Sequence, residues 1–163
     1  MPIPQSTSQR PGLSVLDRLL DDAQEAAART PADGTAALRR AVRRDLEALL
    51  NARRSWRSWP AGFAELAVSP LGYGIADFSA GSFATAGVQE QLCRDVEDTI
   101  RRFEPRLSAV HVSLADQAER LQPTLRLRIE ALLRAQPAPE PIAFDTVIDA
   151  ATADVTLRPD ADV

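Results

Sequence analysis

Pro105 limits what this chain can become more than any other residue, because the hydrophobic period changes there. Before it, apolar residues recur every three to four positions, as on one face of a helix. After it they alternate, as along a strand. Proline also drives the preceding residue out of helical backbone angles, so a helix running over about Ala86–Phe103 has to stop at Glu104.

Downstream, "LSAVHVSL" (Leu107–Leu114) sets Val110, Val112 and Leu114 on one face and His111 and Ser113 on the other. "TLRLRIEALL" (Thr124–Leu133) alternates more clearly, with Leu125, Leu127, Ile129 and Ala131 facing in and Arg126, Arg128 and Glu130 facing out. "PIAFDTVID" and "DVTL" read as two shorter strands joined by a turn near Ala150–Ala153. Such short connections favour an antiparallel sheet with one dry face for helices to cover.

Upstream, Ser14 is placed to cap a helix over Val15–Arg29, with Asp17 in its first turn. "TPADGT" reads as a break, after which Thr35 starts a second helix to about Arg53. "WPAGFAELAVSPLGYGIADFSAGSF", with two prolines and four glycines, reads as a long ordered loop. The expected fold is α+β, with three N-terminal helices packed on one face of a small antiparallel sheet of three to four C-terminal strands. The expected organisation is a disordered tail over 1–12, a single domain over 13–158 and an acidic tail over 159–163.

Cys93 and His111 are the only residues of their kinds. No disulfide framework or His/Cys zinc site is then expected, and a reducing compartment fits. "MPIPQSTSQRPG" lacks the apolar stretch of a signal peptide, and no apolar run approaches the roughly 20 residues of a membrane helix. Charge is unevenly placed. Arg39–Arg57 holds seven arginines against Asp45 and Glu47, while residues 137–163 hold six acids against Arg158.

On a helical wheel Leu38, Val42, Leu46, Leu49 and Leu50 fill one arc, with Arg40, Arg43, Arg44 and Glu47 opposite. Asp45 and Arg53 fall in the apolar arc. They are eight residues apart, about 12 Å along a helix, and so cannot pair with each other. A buried charge without a partner costs several kcal/mol, so each should meet one from another segment or subunit.

"RRDLEALLNARR" (Arg43–Arg54) resembles the motif helix of the TssE family, baseplate wedge subunits of bacterial type VI secretion systems related to a contractile-phage protein once labelled a lysozyme. "SVLDRLLD", "SPLGYGIADFS", "FEPRL" and "FDTVID" resemble further segments of that family, in its order, across about residues 13–158. The resemblance carries the family's motif positions onto Arg44, Asp45, Leu46, Glu47, Leu49, Leu50, Asn51 and Arg53 in the helix, and onto Tyr73, Gly74 and Asp77 in the loop. It implies docking on TssF and TssG through Glu104, Pro105 and Arg106, with TssK nearby. It also implies initiation of the TssB/TssC sheath by strand exchange, for which Val155, Thr156 and Leu157 form the expected accepting strand. The setting would be a cytoplasmic baseplate docked at the inner membrane, with no cofactor, no metal and no catalytic residue.

Two other classes compete. A lysozyme-like peptidoglycan hydrolase needs two carboxyls about 5–9.5 Å apart beside a sugar cleft. Asp45, Glu47, Asp77 and Glu104 are the candidates, but Asp45 and Glu47 diverge on the wheel and Glu104 stands beside Arg106. "GYG" lacks the glycines of a phosphate loop. A nucleic-acid module could use the arginine-rich helix with Trp56 and Trp59 as stacking platforms. A net charge of −4 argues against it, since such modules are usually strongly basic.

Overall fold

The computed structural model describes residues 31–54, 61–76, 85–115, 124–135, 138–149, 152 and 154–159. The helix expected over Val15–Arg29, the two tails, Trp56, Trp59 and Asp77 lie outside them. Helix α1 spans Pro31–Asn51, and α2 spans Ala86–Phe103. Two-residue strands β1 (Arg53–Arg54) and β2 (Ile75–Ala76) pair in parallel. Strands β3 (Leu107–Leu114), β4 (Thr124–Leu133), β5 (Glu140–Asp149) and β6 (Val155–Pro159) form an antiparallel meander in that order. The fold is α+β, as expected.

Helix α1 starts earlier and ends sooner than its expected span. Pro31 opens it, a first-turn position where the missing N–H costs nothing, so "TPADGT" is not a break. At the other end Arg53 has left the helix, and its Nη1 donates to the Leu50 carbonyl at 3.0 Å, satisfying one of the orphan acceptors there. Arg53 is exposed, not in the apolar arc. Leu38, Val42, Leu46, Leu49 and Leu50 are buried together with Leu92, Val96 and Ile100 of α2.

The segment expected to be a loop is partly helical. It forms 3-10 turns at Ala61–Val68 and Pro70–Gly72, and Ser69 caps the second by accepting the Leu71 N–H. Gly74 then carries the chain past the end of α1 with φ +97°. A Cβ there would stand 2.4 Å from the Ala52 carbonyl oxygen, which accepts the Ile75 N–H at 3.1 Å.

In the sheet, Leu125, Leu127, Ile129 and Ala131 face the core, as the alternation requires. Val110 and Val112 join them, but Leu114 is 40% exposed and leaves the expected inward set. β3 also contains a bulge. Its register against β4 shifts between Ser108 and His111, and Ala109 takes φ +49°. The extra residue brings Leu107 and Val110 onto the same face despite their odd spacing.

Candidate protein-docking site

Pro105 stops α2, and the chain after it turns instead of running on extended. Leu107 donates its N–H to the Glu104 carbonyl at 3.1 Å, so Glu104–Leu107 is a turn with proline at its second position. Glu104 and Arg106 do project together. Glu104 Oε1 accepts from Arg106 Nε at 2.6 Å and from the Arg106 backbone N–H at 3.2 Å, while Oε2 accepts from Nη2. Nη2 also reaches Asp45 Oδ2 at 2.6 Å, and Asp45 Oδ1 accepts from Arg44 at 2.9 Å.

The partner Asp45 needs is therefore Arg106, supplied by the turn after α2. The same contacts correct one expectation. Arg106, expected to dock on TssF and TssG, was to find its partner on another chain. Both carboxylates that hold it belong to this chain. Its side chain is 20% exposed and that of Glu104 only 5%. The Glu104 hydrogen bonds, with Asp45 adding to them and burial opposing, raise the Arg106 guanidinium further above its ordinary range.

One donor is left over. Arg106 Nη1 is buried and has no hydrogen-bond partner among the described residues. It lies at a cleft of about 400 Å³ that the ion trio shares with Leu49, Tyr73, Phe103 and Pro105. The Tyr73 and Phe103 rings meet edge to face, 5.3 Å between centroids. Burial, then the nearby charges of Asp45 and Glu104, push the Tyr73 phenol above its ordinary value. Phe63, Val68 and Leu71, each 59% exposed, come from the same 3-10 segment that delivers Tyr73.

The rest of the motif helix divides by role. Leu46, Leu49 and Leu50 are core. Arg44 is exposed and bound to Asp45, and Glu47 gives its carbonyl to Asn51. Asn51 is the residue whose use no sequence signal indicated. Its Nδ2 donates to the Val155 carbonyl at 2.8 Å and its Oδ1 accepts the Val155 N–H at 2.9 Å, tying the end of α1 to the first residue of β6.

The two edges of the sheet differ. On β3, Glu97 Oε2 accepts the Val112 N–H at 3.0 Å and Arg101 Nη2 donates to the Val110 carbonyl at 2.9 Å. On β6, Asp149 donates to the Asp154 carbonyl. Alternation then turns Thr156 and Arg158 toward β5, and Val155, Leu157 and Pro159 outward. Proline at the outward position fits, because no donor is lost to the sheet.

Arg106 occupies the space between Asp45 and Glu104, where a hydrolase would need its sugar. Cys93 is buried, which pushes its thiol up, and His111 lies on the exposed face 3.5 Å from Glu97.

A protein-family model described as "Baseplate wedge protein gp25" matches residues 36–138. The matched span takes in Asn51, the ion trio, β3 and β4, and ends before β5. No curated protein matches the chain.

Proposed function

The chain belongs to the baseplate wedge protein gp25 family, and from that premise we propose that it is the wedge subunit of a type VI secretion baseplate. In this reading it docks on TssF and TssG, near TssK, and starts the contractile TssB/TssC sheath by accepting a strand. It acts by binding, without catalysis, in a cytoplasmic baseplate docked at the inner membrane. Among the described residues no helix is long and apolar enough to cross a membrane.

The observation that carries the reading is the outward backbone of Leu157 on β6, which has no hydrogen-bond partner among the described residues. Adding a strand to a sheet edge gains affinity from main-chain hydrogen bonds and specificity from alternate side chains. The resemblance of "FDTVID" to the family's penultimate strand supports the same reading, since Phe144–Asp149 lies in β5, beside that edge. For docking, the cleft offers a partner apolar walls of Leu49, Tyr73, Phe103 and Pro105 beside the Arg106 ion trio. Phe63, Val68 and Leu71, on the 3-10 segment that delivers Tyr73, add exposed apolar side chains.

Reconstitution tests both halves. The purified chain should join a TssF–TssG complex, and TssB/TssC should then polymerise from the particle. Leu157→Pro, which removes the outward N–H, should join normally and fail to start sheath growth. No incorporation of the wild-type chain contradicts the wedge role. Normal sheath growth from Leu157→Pro contradicts strand acceptance.

A further inference from the structure

The open edge of β6 is not open along its whole length. Val155, Leu157 and Pro159 turn outward, but Asn51 already holds both backbone groups of Val155. An asparagine side chain is chemically a peptide group, with one acceptor and a two-proton donor. Asn51 uses all of it: Oδ1 takes the Val155 N–H, while Nδ2 serves the Val155 and Glu47 carbonyls at 2.8 and 2.9 Å. At Val155 it therefore stands where a residue of a neighbouring strand would stand.

We propose that Asn51 is the register stop of a strand-docking site on β6, confining an incoming extended segment to Leu157 and the positions beyond it. The inference rests on the strand-accepting reading above. Leu157 presents the one complete outward pair, an N–H and a carbonyl, and Pro159 presents a carbonyl alone. The residue opposite Leu157 makes two main-chain bonds, and the next outward position can only donate. The partner is thus an extended segment of another protein chain that ends or turns away before Val155. The residue it sets beside Leu157 is apolar, to continue the buried face of Val155 and Leu157, and its neighbours are polar, beside exposed Thr156 and Arg158. One-residue slippage would turn that segment's apolar side outward, which is why a fixed stop has value.

A simple staple between helix and strand would use the same bonds, so the test reads register and not stability. Amide exchange is followed at residue resolution in the full chain, alone and in baseplate particles carrying sheath protein. In the wild type, Val155 should exchange slowly in both states. Leu157 should exchange fast alone and roughly tenfold or more slower once sheath protein is bound, as one hydrogen bond requires. In Asn51→Ala, Val155 should be fast alone and should slow on docking together with Leu157, because the segment now runs one pair further. If Leu157 slows in Asn51→Ala while Val155 stays fast, the stop is refuted and strand docking survives. If Leu157 never slows in wild-type particles, both fall. The wild type gives a second reading should Asn51→Ala not fold. The Asn51 side-chain amide signals should stay unchanged on docking, and their release would overturn the stop.

Discussion

The two edges of the sheet meet one hazard with opposite solutions. An unpaired strand edge invites any other extended chain to join it. At β3 the helix that immediately precedes the strand covers its middle. Glu97 and Arg101, one turn apart on α2 and bridged to each other at 2.6 Å, take an N–H and a carbonyl of the edge. At β6, among the described residues, the cover is one side chain from α1, 104 residues away, and it stops at the first residue. The closed edge uses charges that a short turn brings into place. The β6 edge is short, ends on proline and turns one full backbone pair, that of Leu157, away from β5. The contrast favours β6 as the edge for the strand partner proposed above.

The largest effect should come from the ion trio, because it holds the turn from which the closed edge starts: Arg134 donates to the Arg106 carbonyl at 2.8 Å across β3 and β4. Arg106→Ala strands the buried Glu104 carboxylate and should lower stability by about 3–5 kcal/mol in urea melting. Asp45→Ala should cost only about 1–2 kcal/mol, since Glu104 still holds Arg106 and Asp45 is a third exposed. An unchanged Arg106→Ala melt would detach the trio from the fold.

Opening the closed edge comes next. The double variant Glu97→Ala with Arg101→Ala should lose about 1–3 kcal/mol and associate with itself in sedimentation as concentration rises. A stable monomer would mean that β3 is protected by something other than these two side chains.

The smallest effect is a titration. Tyr73 is the sole tyrosine, so phenolate absorbance reports it alone. Its ionisation should lie above the ordinary value near 10, through burial first and then Asp45 and Glu104. A raised acid favours the folded state in its neutral form. That contribution is whole below the unfolded value and is lost as pH rises through the folded one. Asp45→Asn should move the titration back toward 10. An ordinary titration in the wild type would place Tyr73 away from the trio.

Where the sequence was easiest to read, one local force decided the outcome. The span of α2 followed from its apolar period and Pro105, and the faces of β4 from strict alternation. Pro31 was a legible start signal that "TPADGT" obscured, because proline and glycine mark helix beginnings as well as breaks. The bulge at Ala109 left no trace, since alanine gives no sign of a positive φ. Leu114 sits in the strand's period but is not covered. At the site, the wheel showed that Asp45 needed a partner but could not name one 61 positions away. Asn51 looked like an ordinary helix end, and its tie to Val155 exists only once the chain has folded.

One comparison within the free protein tests whether the middle of β3 is covered and that of β6 is not. Val112 and Leu157 both turn an N–H outward, on opposite edges. In amide exchange read at residue resolution, Val112 should be protected by Glu97, and Leu157 should exchange roughly tenfold or more faster. Equal rates, or a protected Leu157 in the free chain, would contradict the account.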